Sequence, residues 1–258
     1  MRILLVNDDG IFAAGLAALW EAVSDLGEVT VVAPESPQSA AGRSITLHGP
    51  VHCQRVQVEG AFCGVGVAGR PADCVKLAVR ELMEARPELV LAGINAGANV
   101  GINVFYSGTV AAAAEGALFG IPSVAFSLDA GRDAPRADFQ RAGRLCRWVL
   151  DGLIARPMPT GDLINVNVPA LAGGGPRGVK VVPQSTSAIS ENYVRENGAD
   201  GRISFQLTDE FDHGPQEGET DVTALAEGFI TITPLHCDLT DRFRLAQVGR
   251  HHWKDMPG

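Results

Sequence analysis

The sequence predicts an α/β fold built on a mostly parallel sheet with helices on both faces. Two observations carry this expectation. Short apolar runs at 2–6, 29–33, 89–92 and 123–127 (RILLV, VTVVA, LVLA and SVAFS) have the length and composition of strands buried on both sides. Helical patterns lie between most of them, and strands alternating with helices imply parallel pairing through crossover connections. Such a sheet is doubly wound, three-layered and Rossmann-like.

Taken in order, RILLV is the first strand and LAALWEAVSDLG the first helix, with apolar residues at helical spacing up to Gly27. VTVVA is the second strand. The segment 34–70 interrupts the alternation. It opens with the Pro/Ser/Gly-rich loop PESPQSAAGRS, and TLHGPVHCQRVQV reads as a β-hairpin or a pair of short strands around Gly49-Pro50. PADCVKLAVRELMEA begins at Pro71, a favoured first helical residue. After LVLA, the alanine-rich helix TVAAAAEGALFG ends at Gly120. A longer helix spans roughly 136–155, and LINVNV is the next strand. Residues 184–220 lack helical periodicity, carry Gly198, Gly201, Gly214 and Gly218, and contain the alternating RISFQL. They predict an extended hairpin projecting from the core. FITITP adds a last strand, and the tail RHHWKDMPG reads as peripheral. GGGP at 173–176 is a loop rather than a linker, so 1–258 reads as a single domain.

Composition narrows the function. The net charge of −9 argues against duplex nucleic acid as a partner, because phosphate binding rests on Lys and Arg. It leaves room for a small phosphorylated substrate, since a bound cation reverses the local field. The five cysteines are odd in number and form no CxxC pair, which argues against a disulfide framework or zinc knuckle and for a reducing compartment. No apolar run reaches the ~18 residues of a membrane span, and the N-terminus lacks a secretory pattern, so a cytoplasmic location with no membrane partner is expected.

Three loops carry the chemistry. The first strand stops on Asp8, Asp9 and Gly10, where open α/β sheets keep their ligand crevices. Two adjacent carboxylates repel unless a cation or proton lies between them. The plain alternative is a solvated Asp-Gly turn. GINAGANVG follows LVLA, and its Asn95 is the first polar side chain after a strand, a hard neutral oxygen ligand suited to Mg²⁺ or Mn²⁺. Ser107, Gly108 and Thr109 precede a helix whose N-terminus offers amide N–H groups to an anion. Each of these alone has a structural reading, as a turn or a helix cap. On one sheet edge they describe a metal beside a phosphate. The loop SPQSAAGRS adds hydroxyls at Ser36, Ser39 and Ser44, and Arg43 as a partner for an anion. His48, His52, His213, His236 and His251-His252 form no zinc spacing, and there is no nucleophile elbow, P-loop or GxGxxG; GVGVAG at 64–69 comes nearest to the last.

The chain resembles the SurE family, the survival-protein 5′/3′-nucleotidases. The resemblance rests on NDDG (7–10), PESPQSAAGRSIT (34–46), PADCV (71–75), GINAGANVG (93–101), YSGTVAAAAEG (106–116), NVNVP (165–169) and ITPLHCDLT (232–240), all in the family's order. It implies a phosphatase acting on nucleoside 5′- and 3′-monophosphates with one divalent cation, Mg²⁺ or Mn²⁺, per subunit. It further implies Asp8, Asp9, Ser39 and Asn95 as metal ligands, and Asn99, Ser107, Gly108 and Thr109 beside the phosphate, next to Gly10. Asp8, Asp9 and Asn99 become the catalytic set, and a homodimer or homotetramer is implied, with the C-terminal portion exchanged and the stretch 184–220 suited to the oligomer contacts. Two departures are Arg70, where the family commonly has threonine, and Ala92, where it commonly has serine. A phospho-aspartyl enzyme with Asp8 as nucleophile, a receiver-like module and a nucleotide sensor without turnover are the alternative readings.

Overall fold

The computed structural model describes residues 1–58, 60–131, 134–171, 173–187, 192–197, 202–207 and 217–251. The strands are β1 (Arg2–Val6), β2 (Glu28–Pro34), β3 (Cys53–Gln57), β4 (Cys63–Val67), β5 (Leu89–Ala96), β6 (Ser123–Leu128), β7 (Leu163–Val168), β8 (Val179–Val181), β9 (Tyr193–Asn197), β10 (Ile203–Leu207) and β11 (Ile230–Leu235). The helices are α1 (Ala14–Val23), α2 (Pro71–Leu77), α3 (Gly108–Leu118), α4 (Arg136–Ile154), α5 (Asp221–Ala226) and α6 (Arg242–Val248). A π-helical turn at Ala78–Leu82 extends α2, and a 3₁₀ turn at Gly101–Phe105 precedes α3.

Nine strands form one sheet in the order β3-β4-β2-β1-β5-β6-β7-β11-β8. From β4 through β7 all pairs are parallel; β3 and β11 run antiparallel to their neighbours β4 and β7. Strand residues alternate between two cores, as burial on both faces requires. Ile3 and Leu5 of β1 join the cluster that holds Leu16, Leu19, Phe139 and Leu150 of α1 and α4. Leu4 and Val6 join the one that holds Val75 of α2 and Val110 and Ala113 of α3. This is the doubly wound, three-layer architecture expected.

The topology fixes where a ligand belongs. From β1 the chain winds outward through β2 to β4, then returns to the other side of β1 at β5 and winds the opposite way through β6 to β7. The order reverses between β1 and β5, and the crevice beyond their carboxyl ends is the binding position of such sheets.

Three expectations are corrected. The hairpin of the second segment does not turn at Gly49-Pro50. It pairs β3 with β4, Gln57 opposite Cys63, so its turn lies within 58–62 and GVGV at 64–67 is strand. The helix from Pro71 is α-helical only to Leu77 before the π turn. The C-terminal region contains α5 and α6, which the sequence reading left out. Within 184–220, β9 and β10 pair antiparallel with every strand residue exposed. The expected turn residues Gly198, Gly201 and Gly214 lie outside the described residues, as do His213 and His252.

Candidate active site

The three loops meet at the topological switch point. Asp8 follows β1 and is only 5% exposed. Its Oδ1 accepts a short hydrogen bond from the hydroxyl of Thr109, itself fully buried at the start of α3. Gly108 makes this approach possible. A Cβ there would lie 2.7 Å from the Asp8 Cβ and 2.8 Å from its Oδ2, inside any real contact. Burial raises the Asp8 carboxyl from 3.8 to about 6; the Thr109 hydrogen bond opposes the rise and the neighbouring Asp9 adds to it. A carboxylate desolvated in this way gains most from a positive partner.

Asp9 is half-buried, and its Oδ2 accepts from the backbone N–H of Ala96 at 3.0 Å, joining the end of β1 to the end of β5. Gly10 adopts a φ of +99°, which glycine tolerates and other residues resist. Its carbonyl accepts from Asn7 Nδ2 at 2.9 Å, and the Asn7 side chain is wholly buried. A cleft lined by Asp9, Ala13, Pro37, Ala96 and Phe139 opens beside Asp9.

Asn95 lies on β5 just past a register shift against β6, between Ala92 and Asn95; such a bulge re-aims a side chain. Its Nδ2 donates to the Gly97 carbonyl at 2.7 Å, which commits the amide nitrogen to the loop and leaves Oδ1 for a cation. Ser39 is exposed on the loop after β2. That loop is tied to β1, because the Gln38 N–H donates to the Asp8 carbonyl at 2.7 Å, and to the α3 side, because the Gly42 N–H donates to the Tyr106 carbonyl at 3.0 Å.

Ser107 caps α3, its hydroxyl accepting from the Val110 N–H at 3.0 Å. The capping role weighed for it is therefore real; the Val110 and Ala111 N–H groups are bonded to Ser107 and the Thr109 N–H reaches the Asp8 carboxylate, so the helix N-terminus faces Asp8 directly. Asn99 is 6% exposed and clamped on all sides. Its N–H donates to Asn167 Oδ1 at 2.7 Å, its carbonyl accepts from Asn165 Nδ2 at 2.8 Å and Asn167 Nδ2 at 3.2 Å, and its own Nδ2 donates to Ser127 at 2.7 Å. Buried Asp221 holds the next loop segment through the Gly101 N–H at 2.9 Å and Ser185 N–H at 2.8 Å.

The clamp of Asn165, Asn167 and Ser127 is the part that sequence reasoning missed. Asn165 and Asn167 are fully buried on β7 and find their partners on the distant 93–101 loop. The Arg43 guanidinium lies 3.9 Å from Cys237 Sγ, and the Ser44 hydroxyl donates to the Ala41 carbonyl. His236 lines a separate apolar pocket with Phe105, Ala111 and Leu235. Among the described residues no group of three or more His, Cys, Asp or Glu side chains converges. The oxygen set of two carboxylates, an amide and a hydroxyl fits a hard cation such as Mg²⁺ or Mn²⁺ and not zinc.

Comparison with known proteins shows the family and the fold. The model of the family described as "Survival protein SurE" matches residues 3–191. A 5′-nucleotidase SurE of Syntrophobacter fumaroxidans is 42% identical over 250 residues, spanning 97% of this chain and 99% of its own length. One of Rhodopirellula baltica is 46% identical over 242 residues, 93% of this chain and 94% of its own. The crystal structure of the SurE protein from Aquifex aeolicus superposes with a TM-score of 0.81 at 36% identity, covering 96% of this chain and 98% of that one.

Proposed function

The chain belongs to the SurE family, and we propose that it is a divalent-cation-dependent nucleotidase that hydrolyses nucleoside 5′-monophosphates, and 3′-monophosphates as well, to nucleoside and phosphate. The observation that carries the reading is the buried Asp8 carboxylate, raised to about 6 and facing the α3 N-terminus at a sheet switch point. It sets a cation-binding group against an anion-binding one.

In this reading Asp8, Asp9, Ser39 and Asn95 hold one Mg²⁺ or Mn²⁺. When bound, that cation supplies charge neutralisation at the phosphoryl oxygens and acidifies a water. The chain's own groups do the rest. The α3 amides at Gly108 and Thr109, with Ser107, receive the phosphate oxygens, and the Asn99 amide, held rigid by β6 and β7, stabilises charge on the transferring group. A carboxylate at Asp8 or Asp9 orients the attacking water. Gly10 keeps the backbone close enough for the phosphate to enter.

A homo-oligomer and a cytoplasmic location belong to the same proposal. Tyr193, Val194, Ile203 and Phe205 of the β9–β10 pair, and Phe243 and Leu245 of α6, are all exposed, and a lone two-stranded hairpin is marginal in water. All five cysteines are free, as a reducing compartment keeps them, and no described helix is long and apolar enough to cross a membrane.

The test is phosphate release from a panel of nucleoside 5′- and 3′-monophosphates with Mg²⁺, with Mn²⁺ and with excess EDTA. Release that EDTA abolishes and metal restores is expected. Nucleotide binding without release under any metal would replace the enzyme by a sensor.

A further inference from the structure

PADCV has no role in the site above, yet its structural partners point to that site. Asp73, third residue of α2, is 5% exposed. A carboxylate so buried needs several donors. It has three: the Thr46 N–H at 3.0 Å, the Thr46 hydroxyl at 2.7 Å and the Arg70 N–H at 2.9 Å. Thr46 closes the loop that begins at the end of β2 and carries Ser39. Arg70 is the residue before α2, so the same carboxylate caps the helix and fastens the loop to it. The Arg70 side chain then reaches back across the loop, its Nη1 donating to Gln38 Oε1. Gln38 is the neighbour of Ser39, its backbone N–H holds the Asp8 carbonyl, and its Nε2 bonds the Ser36 carbonyl at 3.3 Å.

We propose that Arg70, fixed at its backbone by Asp73, is a positioning residue for the cation site: through Gln38 it holds the 36–44 loop in the register that presents Ser39 beside Asp8. The inference rests on the metal-site reading above. It makes a prediction opposite in sign to simple electrostatics. A guanidinium near a cation site repels the cation, so its removal would tighten binding if charge alone mattered. As a brace, its removal loosens the loop and weakens binding.

The test is Mn²⁺ binding to the metal-free full chain, followed by the loss of the free-ion EPR signal, for wild type, Arg70→Met, Gln38→Met and the double variant. Met keeps the aliphatic reach of Arg and removes the donor. A Kd for Mn²⁺ about 3- to 10-fold weaker in Arg70→Met is expected, with the melting temperature unchanged. In the Gln38→Met background the same substitution should have little further effect, the coupling that a double-mutant cycle isolates. Tighter or unchanged binding in Arg70→Met, or an equal loss in both backgrounds, would overturn the brace. Arg70→Lys keeps the charge and a single, shorter donor: a loss no greater than that of Met fits the brace, whereas charge alone makes Lys match wild type while Met binds Mn²⁺ more tightly. Failure of wild type itself to bind Mn²⁺ would refute the brace together with the metal-site reading, a result that stands apart from wild-type binding with no response at Arg70.

Discussion

Two glycines of α3 are expected to respond in opposite ways to the same substitution. Gly108→Ala places a methyl 2.7 Å from the Asp8 Cβ and 2.8 Å from Oδ2, where ordinary contact begins at 3.4 Å. The gap of about 0.6 Å has to come from Asp8, because β1 and α3 are both packed into buried clusters. A misplacement on the order of 1 Å at a reacting centre costs ~10²-fold in rate, so kcat should fall about 10- to 100-fold. Overpacking costs ~1–3 kcal/mol, offset in part by the ~0.5–1 kcal/mol that alanine gains over glycine in a helix; both terms also act at Gly116, so the contrast between the two sites lies in kcat. Gly116→Ala, two turns on, meets Ser123 Oγ at 2.5 Å and Val90 Cγ2 at 2.8 Å in the core, away from the carboxylates. Overpacking of ~1–3 kcal/mol there lowers the melting temperature by roughly 2–12 °C in a chain of this size, while kcat of the folded fraction stays within about twofold on the same rate scale. The assay is phosphate release alongside a thermal melt of both variants. Full kcat in Gly108→Ala, or equal loss of kcat in the two, would refute the contact between Gly108 and Asp8 as a requirement of the site.

Other consequences follow from the same geometry. In chelator, the raised Asp8 carboxyl makes the folded state hold its proton more tightly than the unfolded chain. The penalty is absent below pH 3.8, grows as pH rises, and reaches about 3 kcal/mol above pH 6. Asp8→Asn should therefore be more stable than wild type at pH 7.5 in EDTA, with the advantage shrinking toward pH 4, and should lose metal-dependent activity; a pH-independent difference would contradict this. Asn167→Ala leaves the buried Asn99 N–H without its acceptor, costing about 1–3 kcal/mol, and chemical denaturation with a parallel kcat measurement should show both the destabilisation and a slower turnover. Asp221→Ala strips the acceptor from the Gly101, Ser185 and Val222 N–H groups and should lower stability by about 3 kcal/mol or more, read as a shift of the denaturation midpoint.

The loops of Asp8 and Asn95 were legible because a buried parallel strand is apolar almost to its end, so polar side chains mark where it leaves the sheet. RILLV passes through buried Asn7 to Asp8, LVLA leads to Asn95, and the switch point follows from the topology they share. The hairpin of the second segment was misplaced because Gly49-Pro50 has the stronger local turn chemistry. Tertiary pairing of Val65, Gly66 and Val67 with β2 makes GVGV a strand despite its glycines. α5 and α6 are six and seven residues long, too short for helical periodicity to register. NVNV shows the limit most plainly. By alternation alone its asparagines belong on a solvated face, yet Asn165 and Asn167 are fully buried because the 93–101 loop lies over them and takes up their amides. Their role depends on a segment more than sixty residues away, which no local pattern encodes.

The proposed nucleotidase needs one cation at the ends of β1 and β5. Crystals of the protein grown with Mn²⁺ and measured at the manganese absorption edge test for it directly. One anomalous peak per chain is expected within bonding distance of oxygens from Asp8, Asp9, Ser39 and Asn95, lost in Asp9→Asn. A peak elsewhere, or none at a Mn²⁺ concentration that supports phosphate release, would contradict it.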